Sequence, residues 1–184
     1  MIALRHFRHE DFPAIRQTLL DVHARIPEYS PADPFNQRFP WFVDHWGSHT
    51  DFTCVIGYEG EQAIGFAYGA PLTAGREWWR GHFEPAPERS RTYAVSELMV
   101  CAEWRKKGVA DHLHDALLAE LNEDIAVLLV DSTHAKVQAR YESWGYQKVG
   151  ERQPFADSPI FSVMVKPLNS AGSWPYGRSM KPSS

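Results

Sequence analysis

Cysteine is scarce in this chain, with only Cys54 and Cys101 among 184 residues. Two thiols make no disulfide framework. Each sits in an apolar, strand-like run and reads as a small buried hydrophobe, so a reducing, cytoplasmic setting is expected. Long apolar runs are missing as well. The longest, residues 125–130, falls far short of the roughly 20 residues that span a bilayer, and the opening MIALRHFRHED is too charged for a signal peptide. No membrane partner is expected. Positive charge is in short supply, and a formal net charge of -4 argues against broad nucleic-acid binding. Metal-ligand spacing is lacking too. Asp111, His112, His114 and Asp115 crowd one helical stretch in which positions two apart diverge, so no metal site is expected. There is no internal repeat.

What the chain does have is apolar and aromatic side chains, 43% and 13% of residues, enough to exclude disorder and to build one core. One domain over residues 1–168 is expected. A Ser-, Gly- and Pro-rich tail follows over 169–184, with Trp174 and Tyr176 as its candidate anchors.

The stretch VSELMVCAEWRKKGVADHLHDALLAELN, residues 95–122, organises the rest. It opens as a strand over 95–100 and closes as an amphipathic helix in which Val109, Leu113, Ala116, Leu117 and Leu121 recur at helical spacing. Between them lies a basic turn holding Arg105, Lys106 and Lys107, then Gly108 where the helix begins. No Ser, Thr, Asp or Asn stands just before the first helical residues, so the first backbone amides lack a side-chain cap. Bare amides, a positive dipole end, flanking cations and a glycine that lets backbone approach closely together make an anion site, most naturally for phosphate.

The remaining segments follow from their patterning. Residues 2–8 alternate as a strand, and Asp11 with Pro13 opens a helix whose stripe is Phe12, Ile15, Leu19, Val22 and Ile26, ending at Pro27. A short aromatic helix is expected over 40–46. Residues 52–58 and 63–70 read as a hairpin around Gly60, and 71–91 as a long irregular connection, a candidate lid or binding loop. Residues 125–130 read as a strand buried on both faces. Ser132 or Thr133 is expected to cap a helix over 134–144 with Val137, Tyr141 and Trp144 on one face and Gly145 as its stop. Two strands, 146–152 and 160–166, close the chain. This order gives an α/β (α+β) mixed sheet with helices on both faces.

Arg105, Gly108 and Ala110 match the Arg/Gln-x-x-Gly-x-Gly/Ala signature of the GNAT (GCN5-related N-acetyltransferase) family, set as in that family between a strand and a helix. The chain resembles the family over residues 2–168. The resemblance implies a single-domain GNAT fold with a mostly antiparallel sheet, and acetyl-CoA as co-substrate. It places the pyrophosphate on Arg105, Lys106, Lys107, Gly108, Val109 and Ala110. It also implies a bulge in the fourth strand, so that backbone groups of Leu98, Met99 and Val100 hold the pantetheine and the thioester oxygen. A second family segment, an Asn three residues before an Ala and seven before a Tyr, is matched at Tyr141, Gly145 and Tyr146. Here His134 replaces the Asn and Val137 the Ala, so either His134 makes that pantetheine contact or the contact is missing.

Acetyl transfer to an amine needs a polarised carbonyl, a deprotonated amine and a proton for the departing thiolate. Glu97 sits in an otherwise apolar strand, sharing a face with Tyr93, Val95 and Met99 by alternation. Its carboxylate is either a general base working through water, with its pKa raised, or a structural ion pair with Arg91 or Arg76. Tyr141 matches the tyrosine that similar enzymes aim at the coenzyme sulfur and is the candidate general acid; a core tyrosine is the alternative. Trp41, Phe42, Trp46, Trp78, Trp79 and Phe83, with Asp44, Glu77 or Glu84, line an acceptor pocket, form core, or make a homodimer contact. The expected activity is N-acetyl transfer to a primary amine of a small molecule, the alternatives being a peptide or protein acceptor, or a non-catalytic acyl-CoA sensor.

Overall fold

The computed structural model describes residues 1–83 and 86–168. The expected tail with Trp174 and Tyr176, and Glu84 in the long connection, lie outside them. Seven strands form one mixed sheet; counted along the chain, they lie side by side in the order first, second, third, fourth, fifth, seventh, sixth, with the fourth and fifth parallel. The chain divides into two compact units, Met1–Ala70 with Val95–Leu121, and Pro71–Ala94 with Asn122–Ser184.

In the first unit, β1 (Ile2–Arg8) pairs antiparallel with β2 (Thr53–Glu59), which pairs with β3 (Gln62–Pro71) around Gly60 at φ +59°. Helix α1 (Phe12–Ala24) buries Ile15, Leu19 and Val22, the stripe its periodicity foretold. Asp11 does not cap it. That carboxylate accepts from the Arg8 amide at 2.9 Å and closes a 3-10 turn, His9–Asp11, that leads into the helix. A four-residue helix, α2 (Pro34–Gln37), started by Asp33 accepting from the Phe35 amide, precedes the aromatic helix α3 (Phe39–Gly47). Helices α1 and α3 meet closely: a Cβ on Gly47 would fall 2.3 Å from the Phe12 ring, and Arg16 is held by Asp44 at 2.6 and 3.0 Å. Their inner faces join Phe52, Phe66, Tyr68, Met99 and both buried cysteines in one core cluster.

Helix α4 (Val109–Ala119) packs on the other face of these strands, where Gly57 and Gly65 leave room for Leu113. It ends two residues before Leu121, and His114, one of the four clustered residues weighed for a metal, is buried beside Leu113 and Leu117. Strand β4 (Thr92–Val100) belongs to the first unit from Val95 onward.

In the second unit, β4 and β5 (Ile125–Asp131) form a parallel ladder of three pairs, Thr92↔Ile125 to Ala94↔Val127. Strand β7 (Phe161–Pro167) lies antiparallel between β5 and β6 (Gln147–Arg152). Past Pro71, the described part of the long connection has neither helix nor strand, yet it is well packed. Trp79 is fully buried and donates to Thr92 Oγ1 at 2.9 Å, and His82 lies against Gly150, where a Cβ would fall 2.2 Å from its ring. Helix α5 (Ala135–Ser143) starts later than expected and no hydroxyl caps it. Thr133 turns back instead, its amide and hydroxyl both donating to Asp131 Oδ1 at 2.9 and 2.7 Å. No residue of α5 is buried, and Val137 is 43% exposed.

Candidate active site

The turn before α4 is wound by its backbone. After a 3-10 turn, Ala102–Trp104, the chain extends at Arg105, enters the left-handed region at Lys106 (φ 62°) and again at Gly108 (φ 81°), and then becomes helical. Gly108 is there for its dihedral and not for space, since the nearest atom to an added Cβ is a His112 ring carbon at 3.9 Å. Its carbonyl takes the first helical bond, from the His112 amide at 3.1 Å, and no side chain caps the amides that follow. Those of Val109 and Ala110 therefore sit at a positive helix end with Lys106 exposed beside them. Lys107 lies with Nζ 4.8 Å above the Trp104 ring. The residues fit a diphosphate.

Arg105 is placed differently from the expectation. Both terminal nitrogens of its guanidinium donate to the Glu28 carboxylate, one at 2.8 Å, while Nε donates to the Val100 carbonyl at 3.2 Å. The Glu28 hydrogen bond raises its already high pKa. Arg105 thus pins the turn to the end of β4 and to the segment after α1, with its charge largely matched. Sequence reading had no signal for Glu28, which lies 77 residues away.

Glu97 stands in β4 and is half-buried as a residue, yet its carboxyl is deep enough that burial pushes its pKa up to about 7. Among the described residues it has no ion pair. Arg91, one expected partner, is held by Asp124 at 3.3 Å and by the Asn122 carbonyl at 2.6 Å.

The backbone near Glu97 carries an extra residue. At one end of the β3–β4 pair the Cys101 amide donates to the Ile64 carbonyl, and at the other the Leu72 amide donates to the Thr92 carbonyl. From Thr92 to Cys101 is nine steps, from Ile64 to Leu72 eight, so β4 holds one residue more than its partner, a bulge. Tyr68, fully buried on β3, lies within reach of both Ser96 and Glu97, consecutive residues that a regular strand would point to opposite faces. The register between those two bonds sets Ser96 or Glu97 across from Tyr68, and an extra residue beside that pair accounts for both being near it. Met99 and Cys101 share the core cluster of Tyr68, and Val95, expected on the face of Met99, is not in it. The Tyr68 hydroxyl, for its part, has no hydrogen-bond partner of ordinary geometry among the described residues. The sequence hid this residue, since a core tyrosine looks like any other.

The other expected residues belong to the second unit or to structural contacts. His134 is the exposed N-cap of α5 and its side chain makes no cap bond. Tyr141 is half-buried, edge-on to Trp144 and Tyr146 at ring distances of 5.2 and 5.7 Å. The expected acceptor set is largely spent on structure: Trp79 and Phe83 are buried, Glu77 is held by Arg80, and Asp44 is held by Arg16. Trp41, 57% exposed, stacks on His45.

Comparison with known proteins places this arrangement. Residues 7–146 match the family model described as acetyltransferase (GNAT) family. No protein with a curated description matches the chain. Among solved structures, the chain resembles the ribosomal-protein-S18-alanine N-acetyltransferase of Escherichia coli (TM-score 0.63, 17% identity, 94% of this chain and 97% of that one covered). It also resembles NAA60 of Arabidopsis thaliana in complex with a bisubstrate analogue (0.64, 14%, 92% and 100%). A third is the PaiA N-acetyltransferase of Thermoplasma acidophilum in complex with coenzyme A (0.61, 13%, 91% and 99%). At these identities the likeness speaks for the fold, and the family match, which spans most of the sequence, speaks for the lineage: the chain belongs to the GNAT acetyltransferase family.

Proposed function

We propose that the protein transfers an acetyl group from acetyl-CoA to the primary amine of a small molecule, with Glu97 as a base acting through water and Tyr141 as the acid that supplies a proton to the departing thiol. Acetyl-CoA brings the activated acyl group as a thioester. The chain's own residues bind it and move protons. The amides of Val109 and Ala110, opened by Gly108 and flanked by Lys106 and Lys107, hold its diphosphate, with Arg105 fixing the turn. Backbone groups of Leu98, Met99 and Val100 hold the pantetheine, a role supported by the extra residue in β4. His134 takes the contact that the family's Asn makes.

The observation that carries this reading is the Glu97 carboxyl, without an ion pair among the described residues and pushed by burial to about 7. An acid kept that way is poorly explained as structure and well suited to accepting a proton near neutrality. The test is coenzyme thiol release over a panel of polyamines, aminoglycosides, amino acids and peptides, run for the wild type and Glu97→Gln. Turnover on a small amine, lost in the variant, is the expected result. Equal turnover in both removes Glu97 from the mechanism. The likeness to an S18-alanine N-acetyltransferase favours a second reading, a peptide or protein acceptor, and the peptide arm of the panel decides between the two.

A further inference from the structure

The chemistry assigned to Glu97 leaves one buried polar group unused. Tyr68 is fully buried in the core of the first unit, its ring parallel to Phe66 at 5.6 Å and tilted on Phe52 at 5.6 Å. Those contacts account for the ring but not for the hydroxyl, since phenylalanine would pack as well. A buried hydroxyl without a partner loses its hydration with no bond in exchange, which argues for a group it serves in the working enzyme. The bulge in β4 supplies one. The register sets Ser96 or Glu97 across from Tyr68, and both act on its hydroxyl, Ser96 as a hydrogen-bonding neighbour and Glu97 through its charge. The other titratable groups that face this hydroxyl are Cys54 from β2 and Tyr29 from the segment after α1. Neither carries a charge at neutral pH, so ionised Glu97 is the strongest acceptor within reach.

We propose that Tyr68 is the positioning residue of the base: when Glu97 ionises, the Tyr68 hydroxyl donates a hydrogen bond to its carboxylate, with Ser96 behind it as donor to the phenol oxygen. The bond fixes the carboxylate in one rotamer and stabilises the form that accepts a proton. When Glu97 takes up that proton, the acid's own O–H donates back to the phenol oxygen. No bond between heavy atoms changes, and the proton gained by Glu97 is the one lost by the amine. This inference rests on the reading of Glu97 as the base.

The experiment is the Glu97 carboxyl titration in the free protein, followed by carbon-13 NMR of labelled glutamate with Glu97→Gln to assign the signal. It needs neither coenzyme nor acceptor. Tyr68→Phe removes one atom and keeps the ring. Its expected effect is a midpoint on the order of one pH unit higher, because a hydrogen bond to the charged form has gone. Site-specific 3-fluorotyrosine at position 68, a stronger donor, moves the midpoint the other way. In turnover, Tyr68→Phe costs roughly fivefold near pH 7, the change in ionised fraction that a one-unit shift implies, and activity recovers as pH rises. Added to Glu97→Gln it costs nothing further. An unmoved midpoint in both position-68 variants overturns the proposal, as does an additive loss in the double variant. If Glu97→Gln retains full turnover while the midpoint still moves, the contact stands and the base assignment alone fails.

Discussion

A carboxyl that titrates near 7 in the native protein and at 4.5 when unfolded has a cost that can be measured. Between those two values the native state holds the proton that the unfolded state has released, so stability falls as pH rises across the window. It is fully present below about 4.5 and lost by the time pH has passed about 7. Allowing for the partial exposure of Glu97, the loss is on the order of 2 kcal/mol. Glu97→Gln, which cannot ionise, should therefore show a nearly flat urea midpoint over this range and be more stable than the wild type at about pH 8. Turnover should move in the opposite sense. Wild-type activity rises with pH through about 7, as the base ionises, and the variant loses about 10²- to 10⁴-fold at neutral pH. Together the two measurements separate a residue kept for chemistry from one kept for folding.

At the scale of elements, the turn before α4 makes opposite predictions for its neighbouring residues. Lys106 and Gly108 both sit at positive φ. Gly108→Ala has room for its methyl but must adopt the left-handed conformation, so it should cost about 1 kcal/mol in a denaturant melt. Lys106→Gly relieves the same strain and should stabilise by a few tenths to about 1 kcal/mol while weakening coenzyme A binding, more so at low salt than at high. Arg105→Ala should also weaken binding in calorimetry, but with little dependence of the loss on salt. The charge removed is already matched by Glu28, and what goes is the anchor.

Much of this element was legible in advance. The missing cap residue before Gly108, the apolar stripe of α4, the alternation of β1 and the Gly60 hairpin of β2 and β3 are local signals, and local physics acts on them. Glu28, Tyr68 and the extra residue in β4 were not legible. They depend on which strand lies beside which, and the pairing of residues 64 and 101 is written nowhere in either stretch. Helix α2 is too short for periodicity to register, and Thr133 does not cap α5 because Asp131, two residues back, competes for its donors.

For the whole molecule, a ligand that binds only the native form raises stability by mass action. Coenzyme A at about 100 times its dissociation constant should add about 2.7 kcal/mol. For a chain of this length that is a rise of about 5–10 °C in melting temperature, read by a thermal shift scan. No rise would remove the diphosphate from the α4 opening and with it the assignment of the acyl donor. The buried cysteines make a last point about following this protein in solution. Cys54 and Cys101 are 1% and 0% exposed, and burial holds both thiols protonated to higher pH than usual. A chromogenic disulfide reagent will therefore stay colourless with the native enzyme, so colour developing during turnover counts product sulfur. The same reagent, added to a heated or denatured sample, becomes a clock for how often the first unit opens.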